Sequence, residues 1–228
     1  MNSAKFKAYT ITIILFGSIG YFLFGDQLPN LSDIKIFDKF SFKKENTGTS
    51  TTKKTNTYNR TAGAKTGQVL DTYKGVNVYY NGSVGNVFGR NVTDDGYNLG
   101  LKYQCVEFAK RFYYEAYNHK MTDSYGHAKD FYNTSLSSGS FNKARGMYQF
   151  KNKTFEKPKV DDLCVIGPSA GNSFGHLFII TRVTSNSVEF VQQNGGSRNP
   201  SRGEYSLANE DGLWNLRAPN LLGWLRMH

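Results

Sequence analysis

One helical segment and the short strands that follow it constrain the fold of this chain most strongly. Residues 104–117 place Phe108, Phe112 and Ala116 at i, i+4 and i+8, which is typical of a helix with one face against a core. Short runs rich in Val, Ile, Leu and Phe predict strands at residues 76–80, 163–166, 177–183, 188–192 and 221–225. One leading helix before a run of antiparallel strands predicts an α+β fold.

An uncharged, largely apolar stretch at residues 8–25 predicts a membrane-spanning helix. As a helix it would rise about 27 Å, close to the hydrocarbon thickness of a bilayer. No small-x-small cleavage site follows it, so a retained anchor over residues 1–25 is favoured over a cleaved signal peptide. Lys5 and Lys7 indicate a cytoplasmic N-terminus. We therefore expect the rest of the chain to face the periplasm or the exterior of a bacterial cell.

Basic residues are concentrated before the predicted domain. The net charge is +10, and residues 31–68 hold eight basic and three acidic side chains. Residues 45–68 have no apolar period and should be disordered, and we expect residues 26–68 as a whole to form a flexible, self-repelling tether. The alternative is a tether that lies on anionic lipid or cell-wall polymer. Little excess positive charge remains in the globular domain predicted at residues 69–228, so we expect no nucleic-acid partner. We also expect the protein to be a monomer.

Cys105 falls in the first turn of the predicted helix. A helix N-terminus lowers the pKa of a thiol through its unpaired N–H groups and so favours the nucleophilic thiolate. The alternative is that Cys105 is simply a small buried side chain. Cys164 lies in a short apolar strand, where we expect it to be part of the core. Two cysteines exclude a disulfide-stapled framework and leave open a single disulfide between them.

His176 is the histidine best placed to act as a base. It opens an apolar strand, where a polar ring needs a partner, whereas His119, His127 and His228 lie in polar surroundings or at the chain end. A lone histidine at such a position is more often a satisfied core residue than a catalyst. A cysteine at a helix start in the same chain favours the catalytic interpretation.

Gln192 and Asn194 are candidates to orient the imidazole, because they share one face of the strand that follows. With a three-residue hairpin loop at residues 184–186, Phe178 lies opposite Gln192 and His176 lies opposite Asn194. A two-residue loop would break this match. The alternative is that these polar residues at a strand end only meet solvent.

The sequence predicts no metal and no cofactor. It has no C-x-x-C, no H-x-x-x-H and no carboxylate cluster with ligand spacing. The Gly-rich residues 85–89 lack the lysine of a phosphate-binding loop. Tyr97, Phe174 and Trp214 could line a cleft, but large aromatic residues are more often core, so they are left outside the predicted site.

The sequence around Cys105 resembles that of a known enzyme family. Residues 100–111 read GLKYQCVEFAKR and are similar to the CHAP family of cysteine, histidine-dependent amidohydrolases/peptidases. Within that family the likeness is greatest to the amidase domain of bifunctional glutathionylspermidine synthetase/amidase. It continues in the family's order over roughly residues 70–226, at residues 158–163, 175–180, 193–194 and 222–225.

The resemblance implies a papain-like α+β fold and hydrolysis of an amide through a thioester. It implies that Cys105 is the nucleophile and His176 the base, with Asn194 orienting the ring and Gln192 in support. The Cys105 N–H and the Gln104 side chain are implied to hold the oxyanion; the alternative for Gln104 is an ordinary residue at a helix start. Many relatives carry glutamate where this chain has Gln192, and a neutral amide stabilises imidazolium less.

Three functions follow as hypotheses. An anchored domain on a flexible tether favours a peptidoglycan amide bond as the substrate. The likeness to the glutathionylspermidine amidase favours, as an alternative, hydrolysis of glutathionylspermidine or another γ-glutamyl conjugate. The neutral Gln192 favours, as a third hypothesis, a catalytically inactive module that binds the cell wall.

Overall fold

The structure is a computed structural model that describes residues 63–122, 125–196 and 200–228. Within these ranges, no helix is long and apolar enough to cross a membrane. The predicted anchor at residues 1–25 lies outside the described residues, as does the predicted tether up to residue 62. The first described strand begins at Val69.

Twelve strands, one α-helix and one short 3-10 helix make up the described part of the chain. In chain order they are β1 (Val69–Tyr73), β2 (Val76–Tyr79), β3 (Arg90–Val92), β4 (Asn98–Leu101), α1 (Cys105–Tyr117), the 3-10 helix (Ala128–Phe131), β5 (Ser140–Asn142), β6 (Met147–Lys151), β7 (Leu163–Ile166), β8 (His176–Val183), β9 (Ser187–Val191), β10 (Arg202–Glu210), β11 (Leu213–Leu216) and β12 (Leu221–Arg226).

The strands after the helix form one large antiparallel sheet. Its order is β11-β10-β9-β8-β7-β12-β6-β5, and every pair of neighbours is antiparallel. Strands β1 and β2 form a separate antiparallel pair, and so do β3 and β4. One helix combined with a large antiparallel sheet is the α+β arrangement that the sequence predicts.

Strand β8 is buried on both faces of the sheet. Leu177 belongs to the core beneath α1, where Phe108 and Phe112 of the helix are almost fully buried. Phe178, the next residue, belongs to a second core on the opposite face, together with Trp224. Burial of each such side chain contributes about 1.5–3 kcal/mol. Burial on both faces explains why this strand is a continuous apolar run instead of an alternating one.

The predicted helix and the five predicted strands are confirmed, with end shifts of at most one residue, and β7 has the predicted bounds. The other seven strands of the described part, among them β6 and β10, were not predicted. In β6 the inward-facing Gln149 is fully buried and interrupts the apolar period. Of the nine residues of β10 only Leu207 is buried and four are exposed, so the strand lacks an apolar face in the sequence.

The hairpin between β8 and β9 shows that the three-residue loop prediction is wrong. Val183 pairs with Val188. The Thr184 N–H donates to the Ser187 carbonyl oxygen at 2.9 Å. The loop is therefore the two residues 185–186, which is the arrangement expected to move the register by one residue.

A β-bulge in β8 compensates for the shorter loop. The register shifts between Ile180 and Arg182, and beyond the bulge Ile179 pairs with Val191. This is the register that the three-residue loop would have produced at the His176 end of the strand. The bulge thus returns the strand ends at the site to the predicted alignment.

Gly223 in β12 is the position where the sheet leaves least room for a side chain. A Cβ there would lie 1.9 Å from the Phe150 carbonyl oxygen of β6. We expect Gly223→Ala to lower the free energy of unfolding by about 1–3 kcal/mol, the usual cost of overpacking, in urea titrations. Gly85→Ala is the matched control, since no atom lies within 4 Å of its Cβ position. Equal losses in both variants would contradict this packing.

Candidate active site

Cys105 is the first residue of α1. Its predecessor Gln104 is extended, with φ −84° and ψ 160°, and no side chain caps the helix. The backbone N–H groups of Leu177, Val106 and Cys105 itself act to lower the pKa of the thiol. Cys105 shares a core cluster with Leu177 and a cleft with His176, so the nucleophile candidate lies near the start of β8, where the candidate base is.

Burial controls the ionisation of Cys105. The residue is only 8% exposed, and desolvation raises the pKa of its thiol to about 11 against the opposing effect of the three N–H groups. This direction is opposite to the lowered pKa that the helix N-terminus alone predicts. The resting thiol is therefore protonated at neutral pH.

Cys164 is also a free thiol, fully buried in the sheet, so the structure contains no disulfide between the two cysteines.

His176 is held by a glycine that directly precedes it. Gly175 has φ 77°, and a Cβ there would lie 2.4 Å from the Ile166 carbonyl oxygen. The Asn172 side chain donates to the Gly175 carbonyl oxygen at 2.9 Å. Only glycine lets the chain pass this closely before the strand begins.

Desolvation lowers the pKa of the His176 imidazole, so the ring is neutral at neutral pH.

Gln192 fixes which nitrogen of His176 carries the proton. Its side-chain oxygen lies 2.8 Å from His176 Nε2, and its side-chain N–H donates to the Pro200 carbonyl oxygen at 2.9 Å. A carbonyl oxygen can only accept, so it determines the orientation of the Gln192 amide. The oxygen that faces the imidazole therefore accepts from Nε2–H. This leaves Nδ1 unprotonated and able to act as a base.

Asn194 and Gln104 contact each other instead of the imidazole. Asn194 Nδ2 donates to Gln104 Oε1 at 2.6 Å and to the Val84 carbonyl oxygen at 3.0 Å. Gln104 Nε2 donates to the carbonyl oxygens of Asn86 at 2.8 Å and Val84 at 3.2 Å. The structure thus brings Cys105, His176 and Gln192 together, while Asn194 holds Gln104 and the loop at residues 84–86. The amide N–H groups of Gln104 already have acceptors in this arrangement.

A buried polar network supports the start of the helix. Glu107 and Arg111 are 2% and 5% exposed and form an ion pair at 2.6 Å. Gln193 donates to Glu107 Oε2 at 2.8 Å and to the Gln104 carbonyl oxygen at 3.0 Å, and it accepts from the Tyr79 N–H at 2.7 Å. The network joins β2, α1 and the end of β9. In the sequence, Glu107 and Arg111 have the i,i+4 spacing of an ordinary helix pair, and nothing there marks them or Gln193 as buried.

A cleft of about 1220 Å³ passes over both candidate catalytic residues. His127 and Phe174 line it, and the centres of their rings lie 4.7 Å apart. Phe190 and Tyr205 also line it, and their rings stack with centres 4.9 Å apart. Phe174 therefore belongs to the site, although the sequence analysis left it out. Tyr97 is buried in the core and Trp214 does not line the cleft. In the described ranges, no three His, Cys, Asp or Glu side chains are grouped so that they could hold a metal ion.

Comparison with known proteins bears on this arrangement. Residues 93–194 match the family model described as CHAP domain, a range that contains Cys105, His176, Gln192 and Asn194. Trypanothione synthetase from Crithidia fasciculata is 29% identical over 132 residues. That alignment covers 56% of this chain and 20% of the synthetase, so the chain spans about a fifth of the length of this curated relative.

Solved structures with lower similarity were also found. "The crystal structure of Ly7917" is 19% identical with a TM-score of 0.36 and covers 55% of this chain and 54% of that chain. The wild-type endolysin LysIME-EF1 is 21% identical with a TM-score of 0.32 and covers 60% of this chain and 61% of that chain. Similarities with TM-scores this low support no conclusion about this chain.

The Glu107 carboxylate should matter far more for stability than the exposed Glu115 on the other side of the same arginine. Glu107→Gln leaves the buried Arg111 cation without its close partner, so we expect a loss of about 3–5 kcal/mol in the free energy of unfolding. Glu115→Gln is the matched control, since its carboxylate is 45% exposed and 4.0 Å from Arg111; we expect a change within about 0.5 kcal/mol. If urea titrations show a loss for Glu107→Gln that is as small as the one for Glu115→Gln, the buried pair is not important for stability.

The pKa of Cys105 predicts how its alkylation depends on pH. Because burial raises that pKa to about 11, the rate with iodoacetamide should still be increasing at pH 10, without a plateau near neutrality. Peptide mapping by mass spectrometry separates Cys105 from Cys164, and circular dichroism confirms that the fold persists at each pH. A plateau below about pH 8.5 that disappears in His176→Ala would instead show a thiolate–imidazolium ion pair.

Proposed function

Because the chain carries a CHAP domain at residues 93–194, we propose that it is a cysteine-dependent amidohydrolase that cleaves an amide bond through a thioester. The proposal is carried by one observation: Cys105 and His176 line the same cleft, and the His176 ring is bonded to Gln192. These are a nucleophile, a base and a residue that orients the base. A papain-like fold is part of the same proposal.

The neutral resting pair suggests how the reaction begins. The Gln192 oxygen accepts from His176 Nε2–H, so Nδ1 takes the thiol proton of Cys105 as the sulfur attacks the substrate carbonyl carbon. The resulting oxyanion is stabilised by N–H groups in the first turn of α1, which have no partner within the helix. A contribution from the Gln104 side chain requires release of its bonds to Asn86 and Val84.

Collapse of the tetrahedral intermediate completes the first half of the reaction. The imidazolium donates its Nδ1 proton to the departing nitrogen, the carbon–nitrogen bond breaks, and an amine leaves behind a thioester on Cys105. A water molecule then gives a proton to Nδ1 and attacks the thioester. The carboxylic acid is released, and the proton returns to the Cys105 sulfur. The net charge of the Cys105 and His176 side chains is therefore the same before and after each half of the reaction.

Peptidoglycan is the substrate class that we favour. A cleft of about 1220 Å³ exceeds the roughly 300–1,000 Å³ of ordinary small-molecule sites and suits a segment of a polymer. An anchor at residues 1–25, as the sequence predicts, would hold the domain in the bacterial envelope beside the wall. A peptide-bearing wall polymer is therefore the substrate to test first.

A glutathione–polyamine conjugate is the second candidate. The local similarity to trypanothione synthetase, 29% identical over 132 residues, favours it. Release of the polyamine from such a conjugate, without cleavage of muropeptides, would move this candidate to the front. A chain that binds cell-wall material and cleaves neither substrate would be a binding module.

The activity test compares the full-length chain with Cys105→Ala and His176→Ala. We expect muropeptide cleavage by the native chain, none by Cys105→Ala, and a loss of about 10²–10⁴-fold in kcat/KM for His176→Ala. Because burial lowers the pKa of His176, the decrease of activity on the acid side should lie below pH 6.5. Cys164→Ala is the control and should keep its activity. Undiminished cleavage by Cys105→Ala would rule out the proposed nucleophile.

A further inference from the structure

Arg90 differs from the other arginines of the described residues, which either pair with a carboxylate or, in the case of Arg145, are buried and donate to backbone carbonyl oxygens. Ion pairs with carboxylates involve Arg111, Arg182, Arg202, Arg217 and Arg226. Arg90 is exposed and lines the cleft, and no carboxylate of the described ranges lies within ion-pair distance of it. Its guanidinium is nevertheless held in place. It donates to the Asn98 side-chain oxygen at 3.2 Å and lies 5.5 Å from the centre of the Tyr125 ring.

The support of Arg90 is rigid. Asn98 is 7% exposed, and its side-chain oxygen also accepts from the Gly100 N–H at 3.1 Å. One N–H of the guanidinium is used in this bond, and the planar group retains further donors that can face the cleft. An oriented guanidinium with spare donors has the geometry that binds a carboxylate with two parallel hydrogen bonds.

The distance from Arg90 to the nucleophile suits a peptide substrate. Arg90 of β3 pairs with Leu101 of β4, and the Gln104 N–H closes a turn onto the Leu101 carbonyl oxygen at 3.1 Å. Adjacent strand residues are about 5 Å apart and the ends of such a turn less than about 7 Å. The Cα of Arg90 therefore lies within roughly 12 Å of the residue before Cys105, a span of about three extended residues.

Glu204 gives the cleft a negative charge on β10. It is the one acidic side chain among the described residues that line the cleft. It lies two strands from the strand that begins at His176, a separation of about 10 Å. Arg202 of the same strand also lines the cleft, but its guanidinium is paired with Asp71 at 2.6 Å. Glu204 therefore disfavours negative charge on a substrate beside it.

We infer that Arg90 binds a carboxylate of the substrate, located within about three residues of the scissile amide, and so selects acidic peptides. This inference rests on the proposed function, because it assigns the charge of the substrate that the same cleft accepts. Arg90 is a specificity residue in this view, and it takes no part in breaking the bond. The carboxylate could be a chain terminus or an acidic side chain, since both present the same two oxygens.

The test uses pairs of amide substrates that differ only in whether one carboxylate is free or converted to a carboxamide. One pair varies the chain terminus and a second pair varies an acidic side chain, which separates the two sources. For the free carboxylate, we expect Arg90→Met to lower kcat/KM by about 10–100-fold. For the carboxamide we expect no change. Arg217→Met, which removes an exposed arginine outside the cleft, is the control and should not alter the preference.

A binding measurement separates this inference from the proposed function. In a Cys105→Ala background, calorimetry should show tighter binding of the free-carboxylate peptide, and Arg90→Met should abolish the difference. If the native chain cleaves no amide yet shows this difference, the proposed function fails and the carboxylate site stands. If it cleaves both members of each pair equally, with and without Arg90→Met, the carboxylate site is refuted and the proposed function stands.

Discussion

The buried ion pair of Glu107 and Arg111 is the interaction on which the site depends. Two opposite charges in the core cost several kcal/mol of desolvation each, so they persist only where every polar atom around them is satisfied. Gln193 meets that requirement, because it bonds Glu107, the carbonyl oxygen of Gln104 and the backbone of Tyr79. The same bonds fix the end of β9 against the start of α1. Gln192 and Asn194 flank Gln193, and Cys105 follows Gln104. The network therefore fixes the relative positions of these three predicted site residues.

The sequence predicted those elements whose signals are local. The helix carrying Cys105 follows from its apolar period, and the strand that starts at His176 follows from a continuous apolar run. What could not be predicted depends on contacts between distant segments. Glu107 and Arg111 have the spacing of an ordinary surface pair, and only the packing of β2, β3, β4 and the end of β9 around this side of the helix buries them. The roles of Gln192 and Asn194 depend on where the strand end turns, and Asn194 has φ 57°, a left-handed conformation that directs it away from the histidine.

The β8–β9 hairpin contains two features, a short loop and a bulge, whose effects on the strand register cancel. The two-residue loop of the β8–β9 hairpin is a favoured connection, and by itself it would move the end of β9 by one residue relative to His176. The bulge next to Ile180 restores the register before the strands reach the site. A bulge leaves no clear mark in an apolar strand sequence, so a loop prediction cannot reveal it. The alignment at the site is therefore set by the cores on both faces of the sheet, which fix which side chains point inward.

Gln192 is consistent with the buried and neutral character of the site. A carboxylate at this position would face the Pro200 carbonyl oxygen, to which Gln192 now donates at 2.9 Å, and two acceptors at that distance repel each other. It would also add a charge beside an imidazole whose lowered pKa keeps it neutral, in a place where desolvation is costly. The amide satisfies both neighbours, since its oxygen accepts from His176 and its nitrogen donates to Pro200. The neutral residue thus belongs to a site in which thiol, imidazole and amide all rest uncharged.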